Sequence, residues 1–168
     1  IFYTAKQMAN KSPEFCEAFG VTINAHNLSV IGTQSKFRAL SAQYNSIDGL
    51  NVHAGLIDEV HAHKKREVID VIESSQGARL QPLLWLITTA GTNLIGICAE
   101  QRTYLTKILN NVFQDDSYFG IIYTIDKDDD WKNPDVWIKA NPNLNVSVYK
   151  DKLANACLKA INSPASQN

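Results

Sequence analysis

The sequence has no long hydrophobic run, few cysteines and almost no net charge. No apolar stretch approaches the roughly 20 residues that cross a bilayer, so we predict no membrane span. The three cysteines, Cys16, Cys98 and Cys157, fit neither a disulfide framework nor a zinc motif, which favours a reducing cytosol. A net charge of −1 argues against a strong overall field towards nucleic acid or membrane, but leaves room for a local basic patch.

One motif of nucleotide-binding proteins is also absent. The pattern GxxxxGK followed by Ser or Thr, whose backbone N–H groups cradle phosphates, occurs nowhere in the 168 residues. The composition is that of an ordinary globular domain, with 45% hydrophobic and 20% charged residues. The chain opens without Met on the apolar run IFYTA and closes on the polar run SPASQN. We therefore expect it to be part of a longer protein.

Strand-like and helix-like patterns alternate along the first 125 residues. Short apolar or alternating runs predict strands, and apolar residues three or four positions apart predict helices. The predicted strands are 1–5, 36–42, 53–58, 82–89 and 118–125, with a hairpin over 21–33. The predicted helices are 6–19, 65–75, 95–111 and 148–161. This order favours an α/β fold with a mostly parallel sheet, in which the continuous run PLLWLITT is a strand buried on both faces.

The character of the sequence changes after Ile125. The stretch DKDDDWKNPDVWIKANPNL is acidic and rich in Asn and Pro, and we interpret 126–168 as an extension that leaves the sheet. Its first aspartates are Asp126, Asp128, Asp129 and Asp130. They fit a solvated acidic turn. A calcium-binding EF-hand is the poorer interpretation, because such a loop needs a glycine at its sixth position and a glutamate at its twelfth, and this stretch has neither. Trp131 and Trp137 are expected to anchor this segment by hydrophobic contact.

Two apolar runs end in polar residues. The run LID is followed by Glu59, and the run LWLIT ends at Thr88 and Thr89. Because ligands of parallel sheets bind at the carboxyl ends of the strands, these residues could share one crevice. Asp58 could hold Mg²⁺ through water beside a nucleotide phosphate, and Glu59 could polarise the attacking water.

Other interpretations of the Asp58–Glu59 pair stay open at this point. An acidic pair at the start of a helix is favoured by the helix dipole. Asp58 could also ligate Zn²⁺ together with His61 and His63, but two histidines in HxH spacing lie on one side only in an extended strand. Since no phosphate loop is present, either the nucleotide hypothesis is wrong or that loop lies upstream of Ile1.

An ordered set of stretches resembles the large terminase subunit of tailed bacteriophages, the DNA-packaging motor. LSAQYNSIDGLNVHAGLIDEVHAHKKREVIDVI is similar to the Walker B region of that family, and GARLQPLLWLITTAGTN to the stretch that carries its coupling motif. DDSYFGIIYTIDKDDDWKNPDVWIKANPNLNVSV resembles the segment that leads from the ATPase towards the nuclease. IFYTAKQMA is similar to the strand and helix that follow the Walker A helix.

This resemblance implies roles for single residues. Asp58 would take the Walker B role at Mg²⁺, through water, and Glu59 the catalytic, water-activating role. The coupling motif, which senses the γ-phosphate, would consist of Thr88, Thr89, Ala90 and Gly91. Many relatives place an arginine before the glycine that precedes the Walker B strand, where this chain has Asp48 and Gly49. The arginine finger is therefore unassigned, with Arg79 as first candidate and Arg38 as second.

The resemblance also implies an architecture and partners. Residues 1–125 would be a partial ATPase domain of the P-loop NTPase (ASCE) type without the Walker A loop, and 126–168 a connector towards a nuclease domain whose acidic residues lie beyond Asn168. The whole protein would use ATP and Mg²⁺ to move double-stranded DNA into a procapsid. Its partners would be the portal protein, the small terminase subunit and further copies in a ring, in the cytoplasm of the infected bacterial host and without a membrane.

Two other classes of protein share parts of this pattern. A DExH-type helicase or another nucleic-acid translocase would also carry the Asp58–Glu59 pair, but needs further motifs that this chain does not show. A catalytically silent α/β interaction module needs no motif at all. For the leading hypothesis we expect the isolated chain to be inactive, because it lacks the phosphate loop.

Overall fold

The computed structural model of the chain describes residues 1–40, 49–63, 66–90 and 95–163. They fall into two compact units, Ile1–Gly91 and Thr92–Asn168. The helices are α1 (Phe2–Asn10), α2 (Pro13–Phe19), α3 (Glu67–Ser75), α4 (Ile97–Leu109), α5 (Trp137–Ala140) and α6 (Lys150–Asn162). The strands are β1 (Val21–Ile23), β2 (Leu28–Val30), β3 (Ser35–Phe37), β4 (Ala54–Ile57) and β5 (Leu83–Leu86). None of the helices among the described residues is long and apolar enough to span a membrane.

The first unit begins with two helices and an antiparallel sheet in the order β1–β2–β3. The predicted hairpin is confirmed, because β1 pairs with β2 in antiparallel register. Its turn is closed by Asn24, whose backbone N–H donates to the carbonyl of Asn27 at 2.9 Å and whose side-chain amide donates to the Asn27 side chain. An asparagine pair supplies these local bonds more readily than apolar residues do.

The prediction of a strand over residues 1–5 is wrong, because this segment forms the start of α1. A short apolar run fits a strand or a helix equally well by pattern. Here the following residues Ala5, Lys6, Gln7 and Met8 have high helix propensity. The helix buries Ala9, and its Phe2 ring packs 5.7 Å from the ring of Phe37. The predicted helix over 6–19 is in fact the rest of α1 and a separate α2, which Pro13 begins.

Strands β4 and β5 form a separate parallel pair. Helix α3 packs on one face of this pair, where Ile69 and Ile72 are buried. Gly55 permits the close approach, because a Cβ atom there would lie 2.6 Å from Cγ2 of Ile72. The buried Gln76, directly after α3, donates its side-chain N–H to the carbonyl of Leu83 at 3.0 Å. The site residues therefore lie on a sheet that is held by both packing and a buried amide.

Among the described residues the fold is mixed α/β, with a small parallel sheet and a three-stranded antiparallel sheet, so the expected mostly parallel sheet is not found there. β5 is also not buried on both faces. Its alternate side chains are Leu83, Trp85 and, one residue beyond, Ile87, and all three are exposed. In the described part of the chain α3 covers the other face, so a continuous apolar sequence coexists here with an alternating burial pattern.

The second unit contains α4, α5 and α6. The predicted strand over 118–125 is wrong, because no strand is present there. The segment packs on α4 instead. The Tyr118 hydroxyl donates to Oε1 of Gln101 at 2.8 Å, and a Cβ at Gly120 would lie 2.5 Å from Cδ2 of Leu105. The packing on the helix is partial, because the side chains of Phe119, Ile121 and Tyr123 are exposed.

Candidate functional site

The polar residues after β4 and β5 lie at the same edge of the parallel pair. Ile57 is in register with Leu86, and the N–H of Ile87 donates to the carbonyl of Ile57 at 2.9 Å. The N–H of Val60 then donates back to the carbonyl of Ile87 at 3.2 Å. The structure thus brings Asp58 and Glu59 together with Thr88 and Thr89, at the edge where parallel sheets bind their ligands.

The backbone of Glu59 has the left-handed conformation, with φ 53° and ψ 50°. Residues other than Gly, Asn and Asp rarely adopt it, because the Cβ atom approaches the following carbonyl, and the cost is about 1–2 kcal/mol. The turn is held open by a 3₁₀ segment, Val60–Ala62, whose Val60 side chain is 1% exposed. Strain of this kind persists where surrounding structure enforces it, often at functional sites.

The Asp58 carboxylate is exposed, and one of its two oxygens accepts a hydrogen bond within the described residues. Its Oδ1 accepts the backbone N–H of Glu59 at 3.0 Å. Within the described residues, its Oδ2 accepts no hydrogen bond, and no lysine or arginine lies within ion-pair distance of Asp58 or Glu59. An oxygen donor that is exposed and not neutralised by its own chain fits the preference of Mg²⁺ for carboxylates.

His61 joins the two halves of the site. Its Nδ1 lies 3.2 Å from Oε2 of Glu59 and 3.0 Å from Oγ1 of Thr88, and its backbone N–H donates to the same Thr88 oxygen at 3.1 Å. The Thr88 hydroxyl contacts the carbonyl of Thr89 at 2.8 Å. Sequence reasoning considered His61 only as a metal ligand or a surface residue. The contact with Thr88 spans 27 positions, so spacing could not have indicated it.

The zinc alternative finds no support in the described part of the chain. There, no group of three or more His, Cys, Asp and Glu side chains is arranged to hold a metal. His63 directs Nε2 towards the backbone carbonyl of Asp58, at 3.3 Å, while His61 contacts Glu59 and Thr88. The two histidines therefore have separate partners.

Arg79, the first candidate for the arginine finger, lies at the opposite end of β4 from Asp58 and Glu59. Its Nη2 donates to the carbonyl of Asn51 at 2.8 Å, at the amino end of β4. Four residues at about 3.3 Å each separate that end from Asp58. Arg38, the second candidate, is exposed directly after β3. Gly91 lies outside the described residues, so the structure describes Thr88, Thr89 and Ala90 of the predicted coupling motif.

A second acidic group lies in the other unit and is neutralised by its own chain. Lys139 Nζ lies 2.6 Å from Oδ2 of Asp126 and 2.8 Å from Oδ2 of Asp129. The hydrogen bond from Lys139 lowers the pKa of Asp129, and the bond to Asp126 is the main cause of a raised pKa of Lys139. The Trp137 indole N–H donates to the carbonyl of Trp131 at 2.8 Å, and the Trp137 side chain is buried. Hydrophobic anchoring of the segment by both tryptophans stays a prediction.

Two family profiles match the chain. The profile described as "Terminase large subunit, ATPase domain" matches residues 1–107. The profile described as "Terminase large subunit, endonuclease domain" matches residues 112–168. Along the chain, the boundary between the two compact units lies between Gly91 and Thr92. The domain boundary predicted from sequence, between 125 and 126, stays a prediction.

Similar proteins point to the same family. "Protein YmfN" of Escherichia coli (strain K12) is 42% identical over 121 residues, which are 72% of this chain and 27% of that protein. "Terminase, large subunit" of Enterobacteria phage HK97 is 26% identical over 173 residues, covering 100% of this chain and 33% of that protein. The chain thus spans a third or less of these relatives.

A solved structure is similar over almost the whole chain. It is described as the crystal structure of the HK97 bacteriophage large terminase, and its TM-score is 0.81 at 25% sequence identity. The match covers 99% of this chain and 34% of the HK97 chain. Neither the helicase alternative nor the silent interaction module is favoured by these comparisons.

Proposed function

Because the chain belongs to the family of large terminase subunits, we propose that it forms part of the ATPase motor that drives double-stranded viral DNA into a procapsid. The observation that carries this proposal is the meeting of Asp58 and Glu59 with Thr88 and Thr89 at one edge of a parallel sheet. We assign this sheet to a P-loop NTPase of the ASCE type, of which this chain holds an incomplete part.

Asp58 is the proposed magnesium ligand. Its exposed carboxylate, with one oxygen free of partners among the described residues, suits an ion that keeps several of its waters and binds through one or two carboxylates. Bound Mg²⁺ would neutralise charge on the phosphates of ATP. Asp58 would contribute through water and would leave most of the coordination to the nucleotide.

Glu59 is the proposed water-activating carboxylate. Its side chain is 57% exposed, and its backbone has the strained left-handed conformation. A carboxylate in this role accepts a proton from the attacking water. The left-handed turn supports the assignment, because a local strain that Asn or Gly would relieve is kept at a glutamate.

Thr88, Thr89 and Gly91 are the proposed coupling motif. Thr88 and Thr89 lie just beyond β5, separated from it by Ile87, so a change at the phosphates could displace the carboxyl end of that strand. An arginine finger can be supplied by a neighbouring subunit. Since Arg79 lies at the amino end of the sheet, it could serve only from an adjacent copy in a ring.

The whole protein is proposed to work in the cytoplasm of the infected bacterial host. Its partners there would be double-stranded DNA, the portal protein, the small terminase subunit and further copies of itself. Residues 126–168 would connect the ATPase to the nuclease. The neutralisation of Asp126 and Asp129 by Lys139 supports a structural role for these aspartates, because a metal-binding nuclease site needs carboxylates that are not already paired.

The isolated chain should bind Mg-ATP poorly and hydrolyse none above background, because it has no loop of backbone N–H groups around the phosphates. The decisive experiment therefore uses the full-length protein. Glu59→Gln should reduce ATP turnover on the order of 10²–10⁴-fold but preserve ATP binding, since the amide keeps the shape and loses the basic carboxylate. Phosphate release and nucleotide binding are measured side by side, and near wild-type turnover in Glu59→Gln would refute the assignment.

A further inference from the structure

The imidazole of His61 bridges two residues of the proposed site that lie beyond the ends of different strands. Its Nδ1 is within 3.2 Å of the Glu59 carboxylate and within 3.0 Å of the Thr88 hydroxyl. We propose that His61 is a positioning residue that holds the Glu59 carboxylate in line with Thr88, and so links the water-activating group to the coupling motif. This inference rests on the proposed function.

The chemistry of the three groups determines the direction of the bridge. An ionised glutamate only accepts hydrogen bonds, so a favourable contact requires the proton of His61 to be on Nδ1. The Thr88 oxygen accepts the backbone N–H of His61, and its hydroxyl lies within bonding distance of the Thr89 carbonyl. The Nδ1–H group can therefore be shared between the Glu59 and Thr88 oxygens. A movement of Thr88 would then change the strength of the hydrogen bond that His61 donates to Glu59.

The backbone, and not the ring, holds His61 in place. The 3₁₀ segment Val60–Ala62 is joined to the end of β5 by two successive N–H groups, from Val60 to the carbonyl of Ile87 and from His61 to Thr88. The Val60 side chain is buried. Removal of the imidazole should therefore leave the turn intact and remove only the bridge.

Without the bridge the Glu59 side chain has few constraints. It is exposed, and among the described residues His61 is the only basic side chain within ion-pair distance of its carboxylate. An exposed glutamate samples several rotamers, and only some of them would direct the carboxylate to a water beside the γ-phosphate. The loss should appear in the rate of the chemical step, since the backbone N–H of His61 still holds Thr88 when the ring is removed and the ring's other partner is Glu59.

The test compares three variants of the full-length protein. His61→Ala should lower kcat for ATP hydrolysis about ten-fold, with KM for ATP within about two-fold of wild type, the size expected for one hydrogen bond to a charged group. His61→Asn should recover most of kcat, because the Asn amide nitrogen is bonded to Cγ as Nδ1 is. His63→Ala is the matched control, since His63 is in the same loop but its one hydrogen-bond partner within the described part of the chain is the backbone carbonyl of Asp58.

Each result is decisive. A wild-type kcat in His61→Ala, beside an inactive Glu59→Gln, would overturn the positioning role and leave the proposed function standing. Equal losses in His61→Ala and His63→Ala, or no recovery in His61→Asn, would assign the effect to the shape of the loop and also overturn it. A fully active Glu59→Gln would remove the proposed function itself, whatever His61 does.

Discussion

The two acidic groups of this chain have opposite surroundings. Asp58 and Glu59 follow a strand, and no lysine or arginine among the described residues neutralises them. Asp126 and Asp129 lie in a turn and share the ammonium group of Lys139. The comparison indicates that carboxylates paired with a lysine of their own chain stabilise a turn. Carboxylates at a strand end that have no such partner can instead bind a metal cation that enters with a ligand.

A pair of matched substitutions would test this comparison most strongly. In the full-length protein, Asp58→Asn should lower ATP turnover on the order of 100-fold, because the amide has no charge for the metal. Asp129→Asn should leave turnover within about two-fold, because that carboxylate is used by Lys139. Steady-state phosphate release measures both. Equal losses would show that the two acidic groups do not differ in function.

The second unit should be more sensitive to packing than to charge. Gly120→Ala should lower the free energy of unfolding by about 1–3 kcal/mol, because the new Cβ would lie 2.5 Å from Cδ2 of the buried Leu105. Gly32→Ala is the control, since nothing lies within 4 Å of its Cβ position. Chemical denaturation of both variants measures the effect, and an unchanged Gly120→Ala would mean that Leu105 moves aside freely.

The strain at Glu59 separates stability from activity. Glu59→Asn should raise the free energy of unfolding by about 1 kcal/mol, since Asn tolerates the left-handed conformation, while ATP turnover is lost. Gln34→Asn, at another left-handed position with φ 55°, should give a similar gain with turnover retained. Thermal unfolding and phosphate release are measured together. A less stable Glu59→Asn protein would show that the turn carries no strain.

The smallest effect concerns pH. Since the hydrogen bond from Lys139 lowers the pKa of Asp129, this pair contributes stability above the usual aspartate value of 3.8, and the contribution is lost as the pH falls through the lowered pKa. Because the pKa of Lys139 is raised, its contribution to stability is fully present below pH 10.5, the usual lysine pKa, and is lost as the pH rises through the raised pKa. Lys139→Met should move the pKa of Asp129 upwards, as NMR titration of the carboxyl carbon would reveal, and no movement would contradict the pairing.

The two wrong strand predictions have one cause. Residues 1–5 and 118–125 are short apolar runs, and such runs do not distinguish a strand from another buried segment. The first forms a helix because of its neighbours. In the second, Tyr118 bonds to Gln101 of α4, while Phe119 and Ile121 are exposed. The hairpin at Asn24 and the strands around Gly55 and Leu84 were predictable, because turn residues and longer patterns indicate them locally.

The amino-acid sequence by itself determined which residues form the candidate site. Asp58, Glu59, Thr88 and Thr89 end two apolar runs, and that local pattern is readable without a structure. Only the tertiary structure decided that the two ends meet, that Glu59 is left-handed and that His61 joins it to Thr88. The reason is physical: strand register and a contact across 27 positions depend on how distant segments pack, and local sequence preferences carry no information about that packing.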